Sequence, residues 1–211
     1  MEIYNVCMLE GKKSKFIGSS SEKCDTIGMP FLIITKNLII RPLVKQDQAV
    51  VMEAIRESLQ SLQMWLPWTD TFPSVNEYAS ICQKFYTEAQ EQLAYHFVVY
   101  QNEVFMGMCS LMDVNLKQGV AKLGYWCRTN SVNQNYFIEA INAKLRYSFE
   151  KIGLKEIYIQ CMVGNFVSEL AAKELNFRLQ SVDLIDGKQF KLYKIESCSV
   201  LPELDNYSVV E

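Results

Sequence analysis

Residues 120–150 read VAKLGYWCRTNSVNQNYFIEAINAKLRYSFE, and the order of patterns within them decides the architecture. The first eight, Val120–Cys127, are rich in apolar and aromatic residues and read as a strand. From about Asn133 the period changes. Phe137, Ile141, Leu145 and Phe149 recur every fourth residue, which predicts a helix to about Ile152, with Gly153 at its C-terminal cap. Glu156–Cys161 (EIYIQC) follows as a buried-type strand. Strand, helix and strand in that order predict a parallel crossover.

Upstream, Tyr95–Tyr100 and Val104–Val114 are further strands, separated by Gln101–Asn102–Glu103, and Asn115–Gly119 leads on to Val120. Short polar connections of this kind predict an antiparallel meander. Earlier still, Asn37–Leu43 reads as a strand, and Asp47 precedes a helix to about Leu62. Ser74 with Glu77 forms a capping-box pattern that opens a second helix to about Leu93. Downstream, a helix runs from Asn165 or Phe166 to Leu175, and two strands, Arg178–Leu184 and Gln189–Ile195, turn at Asp186–Gly187. The expectation is a mixed α/β (α+β) domain over residues 35–196, with a mostly antiparallel central sheet, one parallel crossover and flanking helices. Residues 1–34 read as an N-terminal extension in which Tyr4–Leu9 is a candidate edge strand. Residues 197–211 read as a loosely attached tail.

Composition narrows the function. Hydrophobic residues make up 49% of the 211, enough for a core. A formal charge of −3 gives no support for nucleic acid as the main partner, since phosphate binding needs a basic surface. It favours a cationic or amine-bearing one. The seven cysteines show no C-x-x-C spacing and His96 is the single histidine, so no metal cluster can be drawn and reduced, buried thiols are expected. The first residues lack the apolar core of a secretory signal, and no apolar run approaches the about 18 residues of a membrane span. A cytoplasmic protein is expected.

Five signatures stand in order along residues 35–195: Leu38-Ile39-Ile40-Arg41-Pro42-Leu43; Glu57-Ser58, Leu62 and Trp65-Leu66-Pro67-Trp68; Leu123-Gly124-Tyr125-Trp126; Tyr136 with Glu139-Ala140; and Asn165, Ser168, Leu175, Phe177. Together they resemble the GNAT acetyltransferases of the RimJ/RimL (ribosomal-protein-alanine N-acetyltransferase) type, and the Trp65–Trp68 segment is the most specific of them. The resemblance implies the GNAT fold, acetyl-CoA as co-substrate, and direct attack by an amine on the thioester with no enzyme nucleophile. The acceptor would be a protein N-terminus or a small amine, and the protein a monomer or homodimer.

The resemblance also assigns residues. Val132, Asn133, Gln134, Asn135, Tyr136 and Phe137 align with the loop that cradles the cofactor pyrophosphate, commonly Q-G-K-G-Y-A. Here both glycines are Asn, the Gln/Arg position is Val132 and the small final position is Phe137. Asn tolerates left-handed backbone, so the turn can survive. The Phe137 ring either occupies cofactor space or packs into the core. Asn165 aligns with a cofactor-contacting Asn and is also a good helix N-cap. Ser168 aligns with a Ser that acts as acid near the cofactor sulfur. The Trp126 or Cys127 amide is the candidate oxyanion donor. Tyr125 and Trp126 line the acetyl channel or follow ordinary strand alternation, and Trp65 and Trp68 shape the acceptor pocket or cap the core. Of the nearby carboxylates Glu57, Asp70 and Glu139, Glu57 ranks first to orient or deprotonate the amine, the plain alternative being surface carboxylates. Lys122 stands where many relatives carry an acidic residue. Against the enzyme reading stands a catalytically inactive GNAT-fold binding protein that has lost acetyl-CoA, on the strength of the altered loop.

Overall fold

Alternation and helical period translate into elements much as expected. The structure, a computed structural model, describes residues 32–66, 81, 84–85, 87–129 and 134–210. In chain order the strands and α-helices are β1 Leu32–Ile34, β2 Ile39–Pro42, α1 Gln48–Gln63, β3 Tyr95–Gln101, β4 Val104–Asn115, β5 Val120–Cys127, α2 Gln134–Glu150, β6 Glu156–Met162, α3 Phe166–Glu174, β7 Arg178–Ile185, β8 Lys188–Ile195 and β9 Ser208–Val210. The helix expected from Ser74 lies largely outside the described residues; residues 87–90 are helical.

The nine strands form one sheet in the order β7-β8-β6-β5-β4-β3-β2-β1-β9. β5 and β6 are parallel, and the other described ladders are antiparallel. Helices cover both faces. On one, Phe137, Ala140, Ile141 and Leu145 of α2 and Ala171 and Leu175 near α3 pack with Tyr125, Cys127, Ile157 and Ile159. On the other, Val51, Ile55 and Leu62 of α1 pack with Val98, Phe105, Met108 and Trp126. Successive β5 side chains therefore enter opposite cores, and both Tyr125 and Trp126 are buried.

α1 is aimed by an ionic corner. The Arg41 guanidinium donates to both carboxylate oxygens of buried Asp47 at 2.7 and 2.6 Å, and the Val44 N–H donates to the same carboxylate at 2.9 Å. Two aligned hydrogen bonds to one carboxylate set an angle as well as a distance, which turns the chain from β2 into the helix.

Two strands were not expected from the sequence. β1 and β9 are three residues each and pair with one another, Leu32 opposite Val210 and Ile34 opposite Ser208. The tail after residue 196 is thus not loosely attached. Leu201 is buried, and the Pro202 carbonyl accepts from Asn142 Nδ2 at 2.9 Å and from Arg146 at 2.8 Å on α2. Composition pointed to a loose end because the anchoring partners lie far away in sequence.

Candidate functional site

The site begins where the parallel pair comes apart. β5 and β6 are in register only over Val120–Lys122 and Glu156–Tyr158, yet they continue to Cys127 and Met162. Beyond Lys122 they diverge and leave a wedge. Backbone groups along a strand alternate in direction. The Arg128 N–H donates to Met106 O at 2.8 Å, toward β4. The Cys127 N–H, one residue earlier, therefore faces the wedge. A main-chain donor aimed into a space lined by two cores is the kind of group that stabilises a developing oxyanion.

Gly107 makes this close approach possible. It lies opposite Cys127 with a φ of 148°, and a Cβ there would overlap the Trp126 carbonyl oxygen. Only glycine fits.

The N-terminus of α3 borders the wedge from the β6 side. β6 ends at Met162, the chain turns through Gly164, and Asn165 caps the helix, its side-chain oxygen accepting from the Ser168 N–H at 3.2 Å. Both residues are buried. The N-cap role weighed from sequence is therefore present, and it places Ser168 in the first turn with its side chain inward. Near it lies the Tyr125 hydroxyl, buried and without a hydrogen bond of normal geometry, although Ser168 is close enough to favour its ionised form. Burial dominates and holds Tyr125 well above the usual tyrosine range, so it keeps its proton at neutral pH. Phe137 meets Tyr125 with ring centroids 5.7 Å apart and packs in the same core. Beside the helix, Lys191 donates to Glu169 at 2.6 Å.

On the other face, α1 grips the residues that follow β5. Arg128 donates to Glu57 through Nε at 2.6 Å and through its terminal nitrogen at 2.7 Å. The Thr129 N–H donates to Ser58 Oγ at 2.9 Å, and Ser61 Oγ lies 3.2 Å from Thr129 Oγ1. The Arg128 hydrogen bonds hold Glu57 below the usual carboxylate range. Glu57, expected to orient or deprotonate an amine, is instead paired, and a carboxylate so held is a poor proton acceptor near neutral pH.

Trp65 follows α1 directly, half-buried, its N–H donating to Leu62 O at 3.0 Å. Gln134 and Asn135 open α2, and Tyr136 packs at the core margin. Trp68, Val132 and Asn133 lie outside the described residues. Other charged groups near the signatures have structural partners. Glu139 accepts from Thr35 and from Asn37, tying α2 to the β1–β2 connection. Lys122 pairs with Asp113 at 2.8 Å on the surface. His96 is buried, 3.0 Å from Ser110 and stacked on Phe85, and desolvation lowers its pKa. Among the described residues no group of acidic, cysteine and histidine side chains could hold a metal ion, and no helix is long and apolar enough to cross a membrane.

The sequence matches the acetyltransferase (GNAT) domain over residues 37–178. The chain belongs to the GNAT acetyltransferase family. Acetyl transfer from acetyl-CoA is that family's chemistry. No curated protein matches the chain. Among solved structures, it resembles RimL, a ribosomal L7/L12 alpha-N-protein acetyltransferase in complex with coenzyme A, with a TM-score of 0.74 and 17% identity over 78% of this chain and 97% of that one. RimJ of Mycobacterium smegmatis in complex with CoA-disulfide gives 0.74 and 19% identity over 84% and 92%. A putative ribosomal-protein-serine acetyltransferase from Vibrio cholerae gives 0.67 and 23% over 80% and 99%. At these identities the likeness is one of fold. This GNAT domain keeps the diverging strand pair between two helical layers.

Reading the sequence missed Arg128, Thr129 and Ser61. Arg128 is 71 residues from Glu57, and no local pattern joins them. It also missed Lys144, which is fully buried over the Phe97 ring, 3.2 Å from its centroid. That signal was available: Lys144 falls seven residues after Phe137, on the apolar face of α2.

Proposed function

We propose that this GNAT domain transfers the acetyl group of acetyl-CoA to an amine by direct attack. The parting of β5 and β6 supports this reading: the Cys127 N–H faces that opening, and Ser168 is buried in the first turn of the helix that follows β6. The residues fit the co-substrate at its reactive end. Asn165 caps α3 just after the end of β6, and the helix dipole favours negative charge at that N-terminus. Acetyl-CoA, when bound, supplies the acetyl thioester. The Cys127 N–H donates to the carbonyl oxygen as negative charge builds on it, and Trp126 stiffens the strand that holds this donor. As the C–N bond forms and the C–S bond breaks, Ser168 gives its proton to the departing thiolate, backed by the protonated Tyr125 hydroxyl, and the proton lost by the amine restores the serine through solvent. Gln134, Asn135 and Tyr136 at the start of α2, with Val132 and Asn133 before them, occupy the phosphate-cradle positions. Trp65 and Trp68 shape the acceptor side, where a protein N-terminus or a small amine enters. A protein working in the cytoplasm as a monomer or homodimer, with no nucleic-acid partner, completes the reading.

One observation favours a second reading. Asn stands at both glycine positions of the cradle, Asn133 and Asn135, which favours a non-catalytic binding protein, although the Phe137 ring packs into the core beside Tyr125. Calorimetry with acetyl-CoA separates the two. Binding tighter than about 100 μM, roughly −5.5 kcal/mol, supports the enzyme. No heat and no thermal stabilisation at millimolar acetyl-CoA sinks that reading and leaves the binding protein.

A further inference from the structure

The contact between α1 and the end of β5 is built differently from the rest of the α1 face. Val51, Ile55 and Leu62 make apolar contacts with the sheet, and such contacts are non-directional and tolerate sliding. Between them, Glu57, Ser58 and Ser61 make directional contacts, and those to the sheet side go to two consecutive residues, Arg128 and Thr129. Ser58 and Ser61 are buried, and Ser61 Oγ is further tied to Ser58 O at 2.7 Å. The serine contacts are buried, and the Glu57–Arg128 pair closes the network at its exposed edge; polar networks set geometry more sharply than they add stability. This one sits at a junction. Arg128 follows Cys127, whose N–H faces the wedge. Thr129 leads to the segment before α2, and α1 itself runs into Trp65.

We propose that Glu57, Ser58 and Ser61 latch Arg128 and Thr129 in place, so that α1 sets the position of the Cys127 N–H. Glu57 and Arg128 are positioning residues in this account; neither touches the acetyl group. The consequence is a link between the two halves of the site. A shift of α1 at its Trp65 end, on the acceptor side, moves the strand end on the co-substrate side. The proposal rests on the acetyl-CoA reading for its functional meaning, though not for its geometry.

Two measurements on the full chain test it. Amide hydrogen exchange at Arg128 and Thr129 reads the latch without any ligand. Arg128→Met and Glu57→Gln are each expected to speed exchange there about tenfold and to weaken acetyl-CoA binding about tenfold, within the usual range of site coupling. The exchanged pair Glu57→Arg with Arg128→Glu is expected to recover much of both. Asn142→Ala, which loses its bond to the tail on the far side of α2, serves as a destabilised control and leaves both unchanged at temperatures well below its midpoint. Unaltered exchange in the latch variants, or equal acceleration in the control, overturns the proposal. Absence of acetyl-CoA binding in the parent protein is a failure of the functional reading alone, and the exchange result then decides the latch.

Discussion

Ser168 and Lys144 are both buried hydrogen-bonding side chains, and they do opposite things for the molecule. Ser168 is held in the first turn of α3 by the Asn165 cap, and under the proposed mechanism Ser168→Ala is expected to lower kcat about 10- to 100-fold with little change in KM. Equal losses in turnover and acetyl-CoA affinity would remove it from proton transfer. Lys144 is a cost. Its Nζ has no hydrogen-bond partner, and desolvation brings its pKa from 10.5 down to about 7, opposed by the nearby Cys109 thiol. Between those two values the unfolded chain holds the proton more tightly than the folded one. The penalty is therefore complete below pH 7, and stability rises as pH climbs from about 7 toward 10.5. Lys144→Met is expected to stabilise the fold at pH 6 by up to about 4 kcal/mol, the gain shrinking by pH 10. Denaturant midpoints for parent and variant at the two pH values check this; a gain that does not change with pH would mean that burial does not lower the pKa of the amine.

At the level of elements, caps and close approaches decide more than propensity. Asn165 accepts from the Ser168 N–H and starts α3. Asn165→Ala should cost about 1 kcal/mol and also loosen Ser168, so turnover should fall further than stability accounts for. Gly107 is stricter. At a φ of 148° against the Trp126 carbonyl, Gly107→Ala forces β4 and β5 apart and should destabilise by about 2–4 kcal/mol. Thermal unfolding reads this directly, and a neutral effect would show that β4 can re-register. Most elements were legible beforehand. The β3 to β5 meander, α2, β6, α3 and the β7–β8 hairpin stand close to their expected bounds, because each carries a full period of alternation or helical spacing and ends at a polar or glycine turn. Asp186 and Gly187 both adopt the positive φ that a tight hairpin turn requires. β1 and β9 escaped because three residues are too few to show a period.

Across the whole molecule, the tail closes the sheet. β9 covers the edge of β1, and Leu201 and Pro202 fasten the intervening segment to α2. Deleting residues 197–211 is expected to lower the unfolding free energy by about 2–4 kcal/mol, the scale of one buried leucine and its neighbouring bonds, and to leave β1 as an open edge prone to association. Unfolding and light scattering on the shortened chain report both. No change in either would show the tail to be dispensable.

Sequence by itself determined the order of elements, the parallel crossover and the family, because these depend on local period and on motifs a few residues long. It also marked Ser168, Asn165, Tyr125 and Cys127 as residues to watch. Tertiary structure decided where each one sits and what it touches. Glu57 becomes an ion-pair partner because Arg128, 71 residues away, is brought against it. The Cys127 N–H becomes available because β6 diverges after three paired residues. Phe137 goes into the core because Tyr125 offers it a ring to pack on. Each of these outcomes is a relation between segments distant along the chain. Side-chain pairing, strand divergence and core packing arise only when the sheet assembles, so no local pattern records them.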